Sequence, residues 1–138
     1  MTYVVLDLPF RRSAVGVARR WVLDACRVHL PDAASQQVLE LLTSELVANA
    51  VLHGSPPVTV AVTSEPGQVR VEVGDGSGDR PQRREVAPEA TGGRGVALVD
   101  LLAKDWGVHP RPDGSGKVVW FSCAAGTGFP GRPADEDG

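Results

Sequence analysis

Residues 44–54 read S-E-L-V-A-N-A-V-L-H-G, and this run decides how the rest of the chain is read. Val38, Leu41, Leu42, Leu46, Val47 and Leu52 recur at helical spacing, and Gly54 is a natural stop. Within that helix Glu45, Asn49 and His53 stand four residues apart. Each step of four lags by only ~40°, so the three side chains form one stripe. Leu46 and Val47 on one side and Ala50 on the other flank the stripe with apolar surface. An amide oxygen such as that of Asn49 is a hard ligand suited to Mg²⁺. Glu45, one turn earlier, is placed to take a proton from a hydroxyl nucleophile or to hold a water. Read alone, the same stripe also fits a solvated helix face.

Working outward, Pro31 breaks the chain before this helix and Asp32 is a good N-cap for it. Val15, Ala18, Trp21, Val22, Ala25 and Cys26 predict an earlier helix from Ser13 to about Val28, preceded by an edge strand at Tyr3–Leu8. After Pro56-Pro57, Val58, Val60 and Val62 alternate in one run, and Val69, Val71 and Val73 in the next. Glu65-Pro66-Gly67 between them is a turn, so the pair predicts a β-hairpin. A third helix fits Gly95–Ala103, and closing strands fit Trp106–Val108 and Lys117–Cys123. The order β-α-α-β-β-loop-α-β-β implies an α+β two-layer sandwich, with about three helices on one face of a mixed, mostly antiparallel sheet.

Two glycine-rich segments carry further chemistry. V-E-V-G-D-G-S-G-D-R-P, residues 71–81, places Asp75 where a strand gives way to a loop. A buried carboxylate there accepts a hydrogen bond from an exocyclic amine such as N6 of adenine. Gly76 and Gly78 let the backbone approach a ligand. In isolation a strand followed by a flexible loop explains the run equally well. T-G-G-R-G-V-A-L-V-D, residues 91–100, leads glycines into a helix, whose free N–H groups suit a phosphate, with Arg94 adding charge. A plain helix-entry turn is the other reading. No Lys follows these glycines as a P-loop requires, and the Rossmann fingerprint lacks its third Gly.

Charge and cysteines bound the remainder. The 138 residues suit one domain, residues 1–123, with an acidic tail, 124–138, expected to be disordered. Fourteen bases against seventeen acids leave a net charge of −3. Much of it comes from Asp135, Glu136 and Asp137, so the body is nearly neutral and a dedicated nucleic-acid binder is not expected. Cys26 and Cys123 lie far apart without C-x-x-C spacing and read as buried reduced thiols in a cytoplasmic protein. There is no secretory signal pattern and no apolar run long enough to cross a membrane. Ser44 has no His/Asp arrangement to make it a nucleophile, and three scattered histidines do not make a metal site. Trp21, Trp106 and Trp120 fall at apolar positions and read as core or partner surface.

Helix stripe, strand-end Asp and glycine-led helix occur in one order within about fifty residues. Together they resemble the GHKL (Bergerat-fold) ATP-binding family, most closely its stand-alone anti-sigma-factor serine/threonine kinases. The string from Glu45 to Gly54 is similar to that family's N box, Asp75 to the aspartate of its G1 box, and Gly93-Arg94-Gly95 to its G2 box. The resemblance implies Glu45 as catalytic base and Asn49 as Mg²⁺ ligand. ATP would be bound by Asn49, His53, Asp75, Gly76, Gly78, Gly93, Arg94, Gly95 and Val96, under a lid at Asp79–Gly92 carrying Arg80, Arg83 and Arg84. Ser77 departs from the pattern, standing at a glycine position of the G1 box.

By that resemblance the function is ATP- and Mg²⁺-dependent phosphorylation of Ser or Thr on an antagonist, partner-switching with a sigma factor, and the protein forms a homodimer. A non-catalytic ATP-binding switch that sequesters a partner uses the same residues; retention of Glu45 favours chemistry. A histidine kinase needs a phosphoacceptor helix upstream, which Leu30-Pro31 after His29 breaks.

Overall fold

Valine alternating with polar residues builds the centre of the sheet. The computed structural model describes residues 1–78 and 91–126. Strands β2 (Val58–Glu65) and β3 (Gln68–Asp75) set Val60 opposite Val73 and Val62 opposite Val71. All six hairpin valines are buried. Gly67, at φ 80, makes the turn between them. Strand β1 (Thr2–Leu8) lies on the far side of β2, and β5 (Lys117–Ala124) on the far side of β3. Strand β4 (Asp105–Pro110) closes on β5, giving the order β1-β2-β3-β5-β4.

Every ladder among the described residues is antiparallel, in keeping with the mostly antiparallel sheet expected. Two of the ladders, β2–β3 and β4–β5, are direct hairpins.

Helix α1 (Ser13–Cys26) buries Ala14, Ala18, Val22 and Cys26, one residue per turn, and its small residues let it lie close to α2. Helix α2 (Ala33–His53) buries Val38, Leu39, Leu42, Thr43, Leu46, Val47 and Ala50. Its start is set by Asp32, whose side chain accepts from the Ser35 N–H at 2.9 Å. Helix α3 (Thr91–Leu102) packs on α2 and buries Val99 and Leu102. Phe121 of β5, fully buried, fills the layer between sheet and helices. No helix among the described residues is long and apolar enough to cross a membrane.

Two boundaries differ from those read in the sequence. Helix α3 begins at Thr91 and not at Gly95, so it takes the glycines into its first turns. Strand β5 continues to Ala124, and the next two residues are docked where an unstructured tail was expected. The Ala125 N–H donates to Gly67 O at 2.9 Å, and the Gly126 N–H to Asp32 Oδ1 at 3.3 Å. Ser35 Oγ donates to Ala124 O at 3.3 Å. The rest of the acidic segment, 127–138, lies outside the described residues.

Both cysteines are free and fully buried. Burial, with the neighbouring Cys123 adding to it, pushes the Cys26 thiol up to about 12; burial alone does the same for Cys123. The sheet face away from the helices carries exposed Tyr3 and Val5 and the Arg70 guanidinium stacked 4.0 Å over Trp120. Trp106 instead ties β4 to α3, its Nε1–H donating to Asp100 Oδ1 at 2.9 Å.

Candidate functional site

Asp75 ends β3 with the same parity as Val69, Val71 and Val73, so its carboxylate points to the helix-covered face. The residue is 3% exposed. A carboxylate buried to that degree needs partners. Lys117, opposite it in register on β5, supplies the charge: its Nζ donates to Oδ2 at 3.0 Å and to Oδ1 at 3.2 Å. The Ser77 N–H donates to Oδ1 at 2.7 Å. Ser77, the departure from the G1 pattern, therefore holds the aspartate through its backbone.

The end of α2 comes down on the same carboxylate. Gly54 caps the helix, its N–H donating to Ala50 O at 3.0 Å. A Cβ placed on Gly54 would lie 2.7 Å from Asp75 Cγ and 2.8 Å from Oδ2. Glycine thus does more than stop the helix: it lets α2 reach Asp75 without a clash. Next in the loop, the Gly76 N–H donates to Ser55 O at 2.6 Å, and a Cβ there would run into the Pro56 carbonyl oxygen. Arg111 pins the same α2–β2 connection, its guanidinium donating to Pro57 O at 3.0 Å.

From this corner the α2 stripe leads away. His53 is the exposed last residue of the helix; Asn49 and Glu45 are half-buried one and two turns further back. Four residues advance about 6 Å along a helix, so Asn49 and Glu45 lie roughly 6 and 12 Å from the level of His53. Asp75 is thus at one end of the row and Glu45 at the other. Gly78 is exposed just beyond Ser77.

Gly93, Arg94, Gly95 and Val96 fall on the first turns of α3, which packs on α2. The first four N–H groups of a helix have no intrahelical acceptor, and those of Gly93 and Arg94 are among them in α3. Of the segment expected as a lid, Asp79–Gly92, residues 79–90 with Arg80, Arg83 and Arg84 lie outside the described residues, and Thr91 and Gly92 open α3.

Lys117 is the partner of Asp75 that sequence reading passes over. One signal was present: on β5 it shares the buried parity of Val119, Phe121 and Cys123, where a lysine is out of place without a partner. Elsewhere, a concavity of about 430 Å³ on the uncovered sheet face is lined by Tyr3, Thr59, Glu72, His109 and Arg111. It opens away from the Asp75 carboxylate.

The family model of the histidine kinase-like ATPase domain matches residues 8–123. Among solved structures the chain is similar to the histidine kinase domain of the blue-light activated histidine kinase from Erythrobacter litoralis EL346. The TM-score is 0.51 at 20% sequence identity, over 84% of this chain and 61% of that one. This likeness speaks for the fold, and the chain spans about three fifths of that structure's length. No curated protein matches the chain.

Proposed function

The chain belongs to the family of histidine kinase-like ATPase domains, and on that premise we propose that it binds ATP against Asp75 and phosphorylates a serine or threonine of a partner protein. The observation that carries this reading is the buried Asp75 carboxylate at the strand end, where β3 meets the end of α2. A carboxylate oxygen accepts two hydrogen bonds, so Oδ2 keeps one site for an adenine N6–H beside its bond from Lys117. With the base there, the phosphates extend along α2 toward Asn49 and Glu45.

The donor set fits Mg²⁺. Among the described residues no three His, Cys, Asp or Glu side chains gather as a metal cage. Mg²⁺ does not need one, because it commonly takes one or two protein oxygens and fills its shell with phosphate oxygens and water. The Asn49 amide oxygen is the group that would hold it. When bound, the ion neutralises phosphate charge. Glu45 accepts the proton of the incoming hydroxyl, and the helix keeps Glu45 and Asn49 in fixed spacing, which is the positioning that phosphoryl transfer demands.

The proposed partners, a sigma factor and its phosphorylatable antagonist, follow from the resemblance to the stand-alone anti-sigma-factor kinases. The test is γ-labelled ATP with Mg²⁺ and candidate antagonists that carry a target serine. Label on that serine is the expected result. Tight ATP binding without transfer to any antagonist would establish a docking switch in place of a kinase. Asp75→Asn, followed by calorimetry, should weaken ATP binding roughly 10- to 100-fold; an unchanged Kd would remove the base from this pocket.

A further inference from the structure

Lys117 has no place in the patterns that lead to the nucleotide reading, yet its ammonium meets both carboxylate oxygens of Asp75. We propose that Lys117 is a specificity-determining residue of the base pocket: its ammonium donates to N1 of adenine while Asp75 Oδ2 accepts from the N6 amine. The inference rests on the ATP reading above and names what selects the base.

The hydrogen-bond inventory supports it. An ammonium has three donors and no acceptor. Two of those donors are used on Oδ1 and Oδ2, and no acceptor meets the third among the described residues. Asp75 Oδ1 is already filled, by the Ser77 N–H and by Lys117. Oδ2 accepts from Lys117 alone, which leaves one of its two acceptor sites open. One open acceptor and one unspent donor therefore sit side by side, their heavy atoms 3.0 Å apart. Both side chains are largely withdrawn from water, at 4% and 11% exposure, so water competes little for either.

The Watson–Crick edge of adenine offers the complement, an amine donor next to the N1 acceptor. Guanine and hypoxanthine offer the reverse, an O6 acceptor and an N1–H donor. In this corner they would set oxygen against carboxylate and N–H against ammonium. A site built around buried polar groups rejects a ligand that leaves them unmatched. Asp75 alone reads one atom of the base; the pair reads two, of opposite polarity. Register fixes the pair, because Asp75 and Lys117 are direct cross-strand partners on the same face of the sheet.

The test is titration calorimetry with ATP, inosine triphosphate and 1-deaza-ATP, whose base keeps the amine but lacks the N1 acceptor. Wild-type protein should bind ATP roughly 10- to 100-fold more tightly than either analogue. Lys117→Met should bind ATP and 1-deaza-ATP alike, while Lys117→Gln, which keeps an N–H donor, should retain part of the preference. A lysine that only neutralises Asp75 would leave the 1-deaza discrimination unchanged in Lys117→Met, and that result overturns the proposal. If Lys117→Met fails to fold, equal wild-type affinity for ATP and 1-deaza-ATP overturns it equally, and leaves ATP binding itself standing. Failure of wild-type protein to bind any of the three nucleotides would instead overturn both readings.

Discussion

Gly54 and Asp75 approach as closely as a hydrogen in place of a side chain allows: a Cβ on Gly54 would stand 2.7 Å from the Asp75 carboxyl carbon. The end of α2 and the end of β3 are locked at this point, and the locked corner is the candidate base pocket. Gly54→Ala must push the helix end or the aspartate aside. We expect a loss of about 1–3 kcal/mol of stability, the ordinary cost of overpacking, with weakened ATP binding. Thermal denaturation and calorimetry read the two effects, and normal values of both would show that the corner yields.

Glu45 and Asn49 share a helix but are assigned different duties, so their variants should part company. Glu45→Ala should bind MgATP as the wild type does, while transfer falls by about 10²- to 10⁴-fold, the usual contribution of a general base. Asn49→Ala should lose the Mg²⁺-dependence of nucleotide binding itself. Equilibrium binding with and without Mg²⁺, set beside single-turnover transfer, separates them. Identical defects in both variants would count against the division of roles.

Much of this fold is legible in the sequence because period and burial agree. Val58, Val60 and Val62 and their partners on β3 alternate, the turn between them is marked by Pro66-Gly67, and α2 is bracketed by Asp32 and Gly54. The first turns of α3 are hidden in the sequence because glycine costs a helix about 1 kcal/mol relative to alanine; packing of Val99 and Leu102 outweighs that local preference. Within the site, Asp75 is legible from its place at a strand end, whereas its pairing with Lys117 is not. Their pairing depends on the register of β3 with β5 across 42 residues of chain. Likewise Gly54 reads as a helix stop, and only the tertiary approach of β3 shows what else its missing side chain makes room for.

Asp32 ties two ends of the fold together, and its titration should be visible. Burial pushes its carboxyl up, but hydrogen bonds from Ser35 and from the Gly126 N–H outweigh burial and hold it below the ordinary 3.8. A carboxyl depressed in the folded state stabilises while ionised; that contribution is present above the unfolded value and is lost as pH falls through the folded one. Asp32→Ala should cost about 1 kcal/mol near neutrality, as cap removals do. The gap from wild type should narrow as pH drops below about 4. Urea midpoints across pH check this, and a gap independent of pH would mean that the ionised cap contributes nothing.

Cys26 and Cys123 should be inert in the native protein. With thiols pushed up to about 12, the reactive thiolate is rare at pH 8, and neither sulfur meets solvent. Iodoacetamide should label both cysteines in guanidinium and neither in buffer, within the same minutes. Rapid native labelling, read by mass, would reveal that α1 opens from the sheet.

The docking of Gly126 at the Asp32 cap supplies a built-in ruler. From that cap, α2 runs its 21 residues, about 30 Å, before it reaches Asp75. By the other route, Ala124 pairs with Gln68, and the eight residues of β3 cover about 25 Å to the same carboxylate. Helix and strand thus measure one span from opposite sides. A dye at position 126 and a fluorescent adenine nucleotide would stand within energy-transfer range, their separation set by backbone and not by side-chain placement.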